Sequence, residues 1–182
     1  TNLTVDAGGI ITANGLGYTE GHGPGAGTGG YCWAQGPSHG GLGDEKTNDA
    51  HGNIYEPTDL GSGSGTQYWG TSGGGAVKLD IANTLTVNGT ISSDGGTTAG
   101  GCNTGGAGGS IWIDTDTLNG SDTGIISTNG KNGNSNNQGA GGGGRIAIYY
   151  NTDNWNLSNQ ILASRVSSQG GSSGGGAGTI YI

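Results

Sequence analysis

Four times this chain runs through glycines and straight into an alternating apolar segment: GGGAVKL at 73–79, AGGSIWI at 107–113, GGGRIAI at 142–148 and GAGTIYI at 176–182. With the first apolar strand residue of each as marker, Val77, Ile111, Ile146 and Ile180 follow one another at 34, 35 and 34 residues. A fixed period constrains a fold more than any local propensity. A unit of this size cannot bury its own thin apolar face and has to share a core with its neighbours. The alternation itself is that of a β-strand half-buried on one face.

A second block precedes each glycine run: IITANG at 10–15, TISSDG at 90–95, IISTNG at 125–130 and RVSSQG at 165–170. Its ending in Asn, Asp or Gln followed by Gly predicts a short strand closed by a tight turn, since Asn-Gly and Asp-Gly accept positive φ. A third element, NLTVD at 2–6 and TLTVN at 84–88, alternates clearly and is degraded at Leu118 and around 157–161. The chain therefore divides as one repeat domain over 1–182: repeat 1 at 1–82 with an insert at 16–72, repeat 2 at 83–115, repeat 3 at 116–151 and repeat 4 at 152–182.

The expected fold is all-β, either a glycine-rich β-solenoid or a β-sandwich-like stack of ~35-residue repeats, with no helix beyond about two turns. Val77, Leu79, Ile111, Ile113, Ile146, Ile148, Ile180 and Ile182 should face one core together with Leu3, Val5, Leu85, Val87, Ile91 and Ile126. For the glycine runs two readings stand. They are surface loops between strands, or they form a packed layer of extended, polyproline-II-like segments with three residues per turn. Flexible linkers fit poorly with a kept register.

Charge narrows function. With 5 Lys plus Arg against 13 Asp plus Glu, the net charge of −8 argues against a nucleic-acid surface. No apolar stretch is long enough to span a bilayer, so membrane insertion is not expected. The sequence opens at Thr1, which suggests a processed or excised segment. Helical periodicity is essentially absent and no catalytic motif is met. GIISTNGKN at 124–132 has one residue too many for a phosphate loop, and Asn132 stands where a magnesium-binding hydroxyl belongs. The expectation is a protein that is not an enzyme, with no catalytic residues.

Repeat 1 departs from the pattern. From the turn glycine to the marker there are 16 residues in repeats 2 and 3 but 62 between Gly15 and Val77. The insert at 16–72 holds all three His, all three Pro, two of the four Trp and the acids Asp44, Glu45, Asp49, Glu56 and Asp59. Insertions in repeat proteins map to loops on one face, so it is expected to protrude and carry any specific contact. Tyr31, Trp33, Tyr55, Tyr68 and Trp69 could stack on a sugar ring or form a small core of their own. His22, His39 and His51 follow no zinc spacing and read as solvated surface residues. Asp44, Asn48, Asp49 and Asn53 offer oxygens suited to calcium but lack the acid ladder of an EF-hand; no other cofactor is implied.

Cys32 lies in the insert and Cys102 in the glycine run of repeat 2, positions that stacking could bring together. Closing that loop is worth about 4 kcal/mol in the chain-entropy model, so a disulfide is expected, within one chain or between neighbours. It would imply an oxidising, extracellular location.

Blocks such as NGTISSDGG, GGAGGSIWIDTDTLNG, GIISTNGKNG and GGGGRIAIYY resemble the glycine-rich repeats of very large secreted surface proteins of bacteria and archaea. The resemblance covers roughly 72–182 and, more loosely, 1–15. It implies an adhesin-like β-solenoid with a role in extracellular structure or adhesion. Two function classes follow: a subunit of a surface filament or segment of a fibrous adhesin, joined through open strand edges to copies of itself or neighbouring repeats; or a glycan-binding module using the insert. Strand NLTV at one end and strand IYI at the other, without a visible cap, favour the first.

Overall fold

The computed structural model describes residues 1–30, 33–45, 50–65, 70–97, 104–133 and 139–182. Their elements are β1 (Leu3–Val5), β2 (Ile10–Thr12), β3 (Gly29–Gly30), β4 (Trp33–Ala34), β5 (Ala76–Val87), β6 (Thr90–Ser92), β7 (Ser110–Gly120), β8 (Ile125–Ser127), β9 (Arg145–Asp153), α1 (Leu157–Leu162), β10 (Val166–Ser167) and β11 (Thr179–Tyr181). The protein is nearly all-β, and its one described helix is six residues long.

Two parallel sheets dominate. The first runs β1-β5-β7-β9-β11 and the second β10-β8-β6-β2, while β3 and β4 form a small antiparallel pair. Parallel neighbours need a long crossover. From β5 the chain passes through β6 in the second sheet, follows the glycine segment to 109 and re-enters the first sheet as β7. Register puts like beside like: Val77 opposite Ile111, Ile111 opposite Ile146, and Ile146 opposite Ile180. In the second sheet Ile11, Ile91, Ile126 and Val166 stand side by side.

Inward side chains of both sheets meet in one apolar cluster. Ile91 and Ile126 from the second sheet join Leu85, Ile111, Ile113, Leu118, Ile146 and Ile148 from the first, and all eight are fully buried. Leu3, Val77, Leu79 and Ile180 pack against this cluster from its margins. Ile182, expected in the core, is 49% exposed because it lies beyond the last paired residue. The weak fourth copy of the Leu-Thr-Val strand is α1 instead. Asp153 stands opposite Leu118, where an apolar residue would continue the core, and its carboxylate accepts the N–H groups of Trp155 and Leu157. The bond to Leu157 satisfies one of the donors that a helix start leaves open, and that to Trp155 holds the turn before it, so the chain leaves the sheet for a helix.

Three of the glycine segments are not surface loops, since 73–75, 104–109 and 139–144 are buried along their length, whereas 172–178 is half-buried to exposed. Their backbones hydrogen-bond sideways, and donors three residues apart reach the same neighbour. Gly105 and Gly108 donate to the carbonyls of Gly139 and Gly142, Gly106 and Gly109 to those of Gly96 and Ser93, and Ala107 to that of Ser62. The next segment repeats this: Gly139 and Gly142 donate to Ala34 and Pro37, Gly141 and Gly144 to Lys131 and Thr128. Such close approach excludes a side chain. A Cβ on Gly108 would overlap the carbonyl oxygen of Thr128, and one on Gly144 that of Gly109.

Candidate assembly surfaces

The insert is woven into the structure. Residues 61–65 are buried, Gly61 donates to Gly74, and Gly41 donates to Gly143, so this stretch supplies hydrogen-bonding neighbours to the glycine segments. A further stretch crosses the outer face of the first sheet. Arg145 Nε donates to the His51 carbonyl at 2.8 Å, Tyr149 Oη to that of Tyr55 at 2.9 Å and Ser110 Oγ to that of Asp59 at 2.6 Å. The expectation of a protruding loop is thus corrected: unpaired backbone donors and acceptors on the glycine segments need partners, and the insert provides them.

His39 corrects the reading of surface histidines. It is fully buried, and its Nδ1 lies 2.8 Å from the Gly108 carbonyl, which can only accept, so Nδ1 carries the proton. Nε2 then presents a lone pair with no partner among the described residues. Burial, foremost, pushes the pKa down to about 4, with the charges of His51 and Arg145 acting in the same sense. The ring lies beside that of His51, centroids 4.8 Å apart and planes tilted by 37°.

Of the aromatics proposed for sugar stacking, Trp33 is 69% and Tyr55 56% exposed, so neither belongs to a small core. Tyr55 meets Tyr181 edge-on at 5.0 Å, and Tyr149 lies 5.6 Å from Tyr181. Sequence reading missed Tyr149 and Tyr181; their outward positions on β9 and β11 were the available signal. Tyr31, Tyr68 and Trp69 lie outside the described residues, as do Cys32 and Cys102 and the calcium candidates Asn48 and Asp49. Asn53 Oδ1 is taken up by the N–H groups of Tyr55 and Glu56, and Asp44 accepts and donates through its backbone to Gly36 and Ala140. No group of three or more acids, His or Cys that could hold a metal occurs among the described residues.

The expected turn of the second sequence block forms in the first copy alone, where Leu16 N–H closes on the Ala13 carbonyl at 3.2 Å, and all four copies carry a different device. Asp94 N–H donates to Asn14 Oδ1 at 2.6 Å, Asn129 N–H to Asp94 Oδ1 at 2.8 Å, and Gln169 N–H to Asn129 Oδ1 at 2.8 Å. Each side chain thus ties the end of its own strand to that of the neighbouring strand, in the order β2, β6, β8 and β10. Gly15 alone of the four following glycines has positive φ, at 66°. The other three are glycine because the chain passes against carbonyls, as Gly95 does against Gly106. Lys131 Nζ closes on Asp94 Oδ2 at 2.8 Å beside the ladder, at the edge of a polar cleft of about 450 Å³ lined also by Asn14, Thr71 and Ser72.

At the margins the sheets end on strands that, among the described residues, pair on one side only. β1 and β11 bound the first sheet and β2 and β10 the second, and β1 covers β5 only over 85–87, leaving Ala76–Ile81 unpaired on that side among the described residues. Burial follows this division in part, since Val5 on β1 and Val166 on β10, the partner of Ile126, are buried although their strands are edges. Ile91, Ile111, Ile126 and Ile146 are fully buried, whereas their partners Ile11, Val77 and Ile180 at the margins are partly exposed. At the β10–β11 margin Ile161, Val166, Ala177 and Ile180 line a groove of about 280 Å³. The helix α1 covers part of that margin, burying Trp155 and Leu157, so the end read from sequence as uncapped is covered on one side.

No family model matches the chain, and neither does any curated protein or solved structure at a significant level. No helix among the described residues is long and apolar enough to cross a membrane.

Proposed function

We propose that this chain is an extracellular structural protein, a subunit of a surface filament or a segment of a fibrous adhesin, extended by stacking further rungs onto its sheet margins. The observation that carries the reading is the coincidence of unpaired edges on β2, Ala76–Ile81 and β11 with the partly exposed Ile11, Val77 and Ile180, whose interior equivalents Ile91, Ile111 and Ile146 are fully buried. A head-to-tail contact that does not close on itself produces a fibre. Within this reading the two sheets are faces of a β-solenoid of ~35-residue repeats. The glycine segments are its polyglycine-II-like layer, since donors spaced by three match a helix of three residues per turn. A Gly, Ser, Thr and Asn composition with net charge −8 suits an exposed, soluble fibre. The resemblance to glycine-rich repeats of large surface proteins points the same way.

Electron microscopy of the purified chain tests it. Unbranched fibres are expected, with an axial repeat of about 19 Å, four rungs at ~4.8 Å each. Particles that stay at the mass of one chain in light scattering at high concentration would overturn the filament form. The exposed Tyr55 beside Tyr149 and Tyr181 favours a second reading, a glycan-binding module. Loss of glycan-array binding in Tyr55→Ala without loss of fibres would support it.

A further inference from the structure

Three series of contacts run from rung to rung, and all three stop at the same margin. Gly15 N–H donates to the Asp94 carbonyl, Gly95 to Asn129 and Gly130 to Gln169, so the equivalent Gly170 N–H has an acceptor position due in a following rung. Ala13 donates to Ser92, Ser93 to Ser127 and Thr128 to Ser167, which leaves Ser168 N–H in the same position. The side-chain ladder runs the other way, Asn14 to Asp94 to Asn129, and ends at Gln169, whose Oε1 accepts nothing among the described residues. At the opposite margin the Asn14 N–H makes, among the described residues, only a local 3.2 Å bond to Thr12 Oγ1.

The first sheet shows the same complementarity. Lys78 Nζ sits 3.5 Å from the ring centroid of Trp112, its partner on β7. Lys78, Trp112, Ala147 and Tyr181 form one row across the sheet. Continuing that row past Tyr181 brings the next copy's Lys78 against an aromatic ring, and the next copy's Val77 against Ile180. An ammonium on one margin and a tyrosine ring on the other suit each other.

We propose that β11 of one copy pairs in parallel with Ala76–Leu79 of the next, in the register that sets Ile180 against Val77 and Tyr181 against Lys78, while Gln169 accepts the next copy's Asn14 N–H. This rests on the filament reading above and names its joint. The longer side chain falls at the last rung, where the ladder passes between chains. The fibre is polar, every copy pointing the same way, and Lys78 lies between Trp112 of its own chain and Tyr181 of its neighbour.

Two measurements on the full chain test the joint. A photo-reactive benzoyl-phenylalanine at position 181 should give two-chain products joined to the segment around Lys78, seen by mass spectrometry in the assembled state only. Gln169→Ala leaves the backbone N–H that bonds Asn129, so the chain should keep its melting temperature. Its critical concentration for assembly should rise about fivefold, the scale of one ordinary hydrogen bond, and Gln169→Glu, which keeps an acceptor, should restore most of it. Fibres whose two-chain products join position 181 to any other segment, or whose critical concentration ignores Gln169→Ala, overturn this joint and leave the filament reading standing. A chain that forms no fibre at any concentration overturns both.

Discussion

The sheets and the glycine segments each set neighbouring stretches of chain side by side and hold them together by opposite means. In the sheets, side chains do it: Ile111 and Ile146, or Ile91 and Ile126, stack in register inside a shared cluster. In the glycine segments the backbones do most of it, with N–H groups addressing several neighbours in rotation and few side chains, such as His39 on the Gly108 carbonyl, reaching in. A packed apolar layer can relax around a lost methyl group. A layer of touching backbones has nothing that can move aside, so its tolerance for change should be far smaller.

The sharpest way to break this comparison is a pair of substitutions. Gly108→Val forces carbon into the Thr128 carbonyl and should abolish cooperative folding, a cost above about 4 kcal/mol. Ile126→Ala, at a fully buried site in the adjacent sheet, should cost about 2–4 kcal/mol and leave a cooperative urea transition. If the glycine variant proves the milder of the two, the contrast is wrong.

His39 sharpens it next, because its Nδ1 ties the insert to the Gly108 carbonyl. Its folded pKa is depressed to about 4 from 6.5, so between those values the unfolded chain takes up a proton that the folded one refuses. Stability should be full above pH 6.5, fall on the order of 3 kcal/mol as pH drops to about 4, and lose no more from this group below that. Urea melts across pH check this, and His39→Asn, which keeps a donor for Gly108, should flatten the profile.

A smaller effect belongs to the amide ladder. Asn129→Ala leaves the Gln169 N–H unpaired and should cost about 1 kcal/mol in thermal unfolding. The smallest belongs to the surface. Asp122, whose side chain is 88% exposed, lies 3.6 Å from Arg165, and Asp122→Asn should shift stability by less than about 0.5 kcal/mol.

Much of the sheet architecture was legible. The alternation in GGSIWI marked β7, and the inward residues Ile111 and Ile113 followed from it, because a two-residue period admits one buried face. The function of Asp94, Asn129 and Gln169 was not. Asn-Gly carries a strong local turn signal, and the ladder bonds are made to residues 35–80 positions away. His39 was misplaced for the same reason. Its neighbours in sequence are Ser38 and Gly40, while its environment is built from Gly108, Arg145 and His51.

What the sequence determined by itself was periodic: the spacing of Val77, Ile111, Ile146 and Ile180, the all-β character and the near absence of helix. Those follow from side-chain pattern, which acts locally. Only the tertiary structure decided where the insert goes and why the glycines are there. Glycine has no side chain to declare a partner, so its contacts are chosen by whichever backbone comes within hydrogen-bonding reach. For Gly108 that backbone is Thr128 on one side and Gly142 on another, and for Gly41 it is Gly143, more than a hundred residues away.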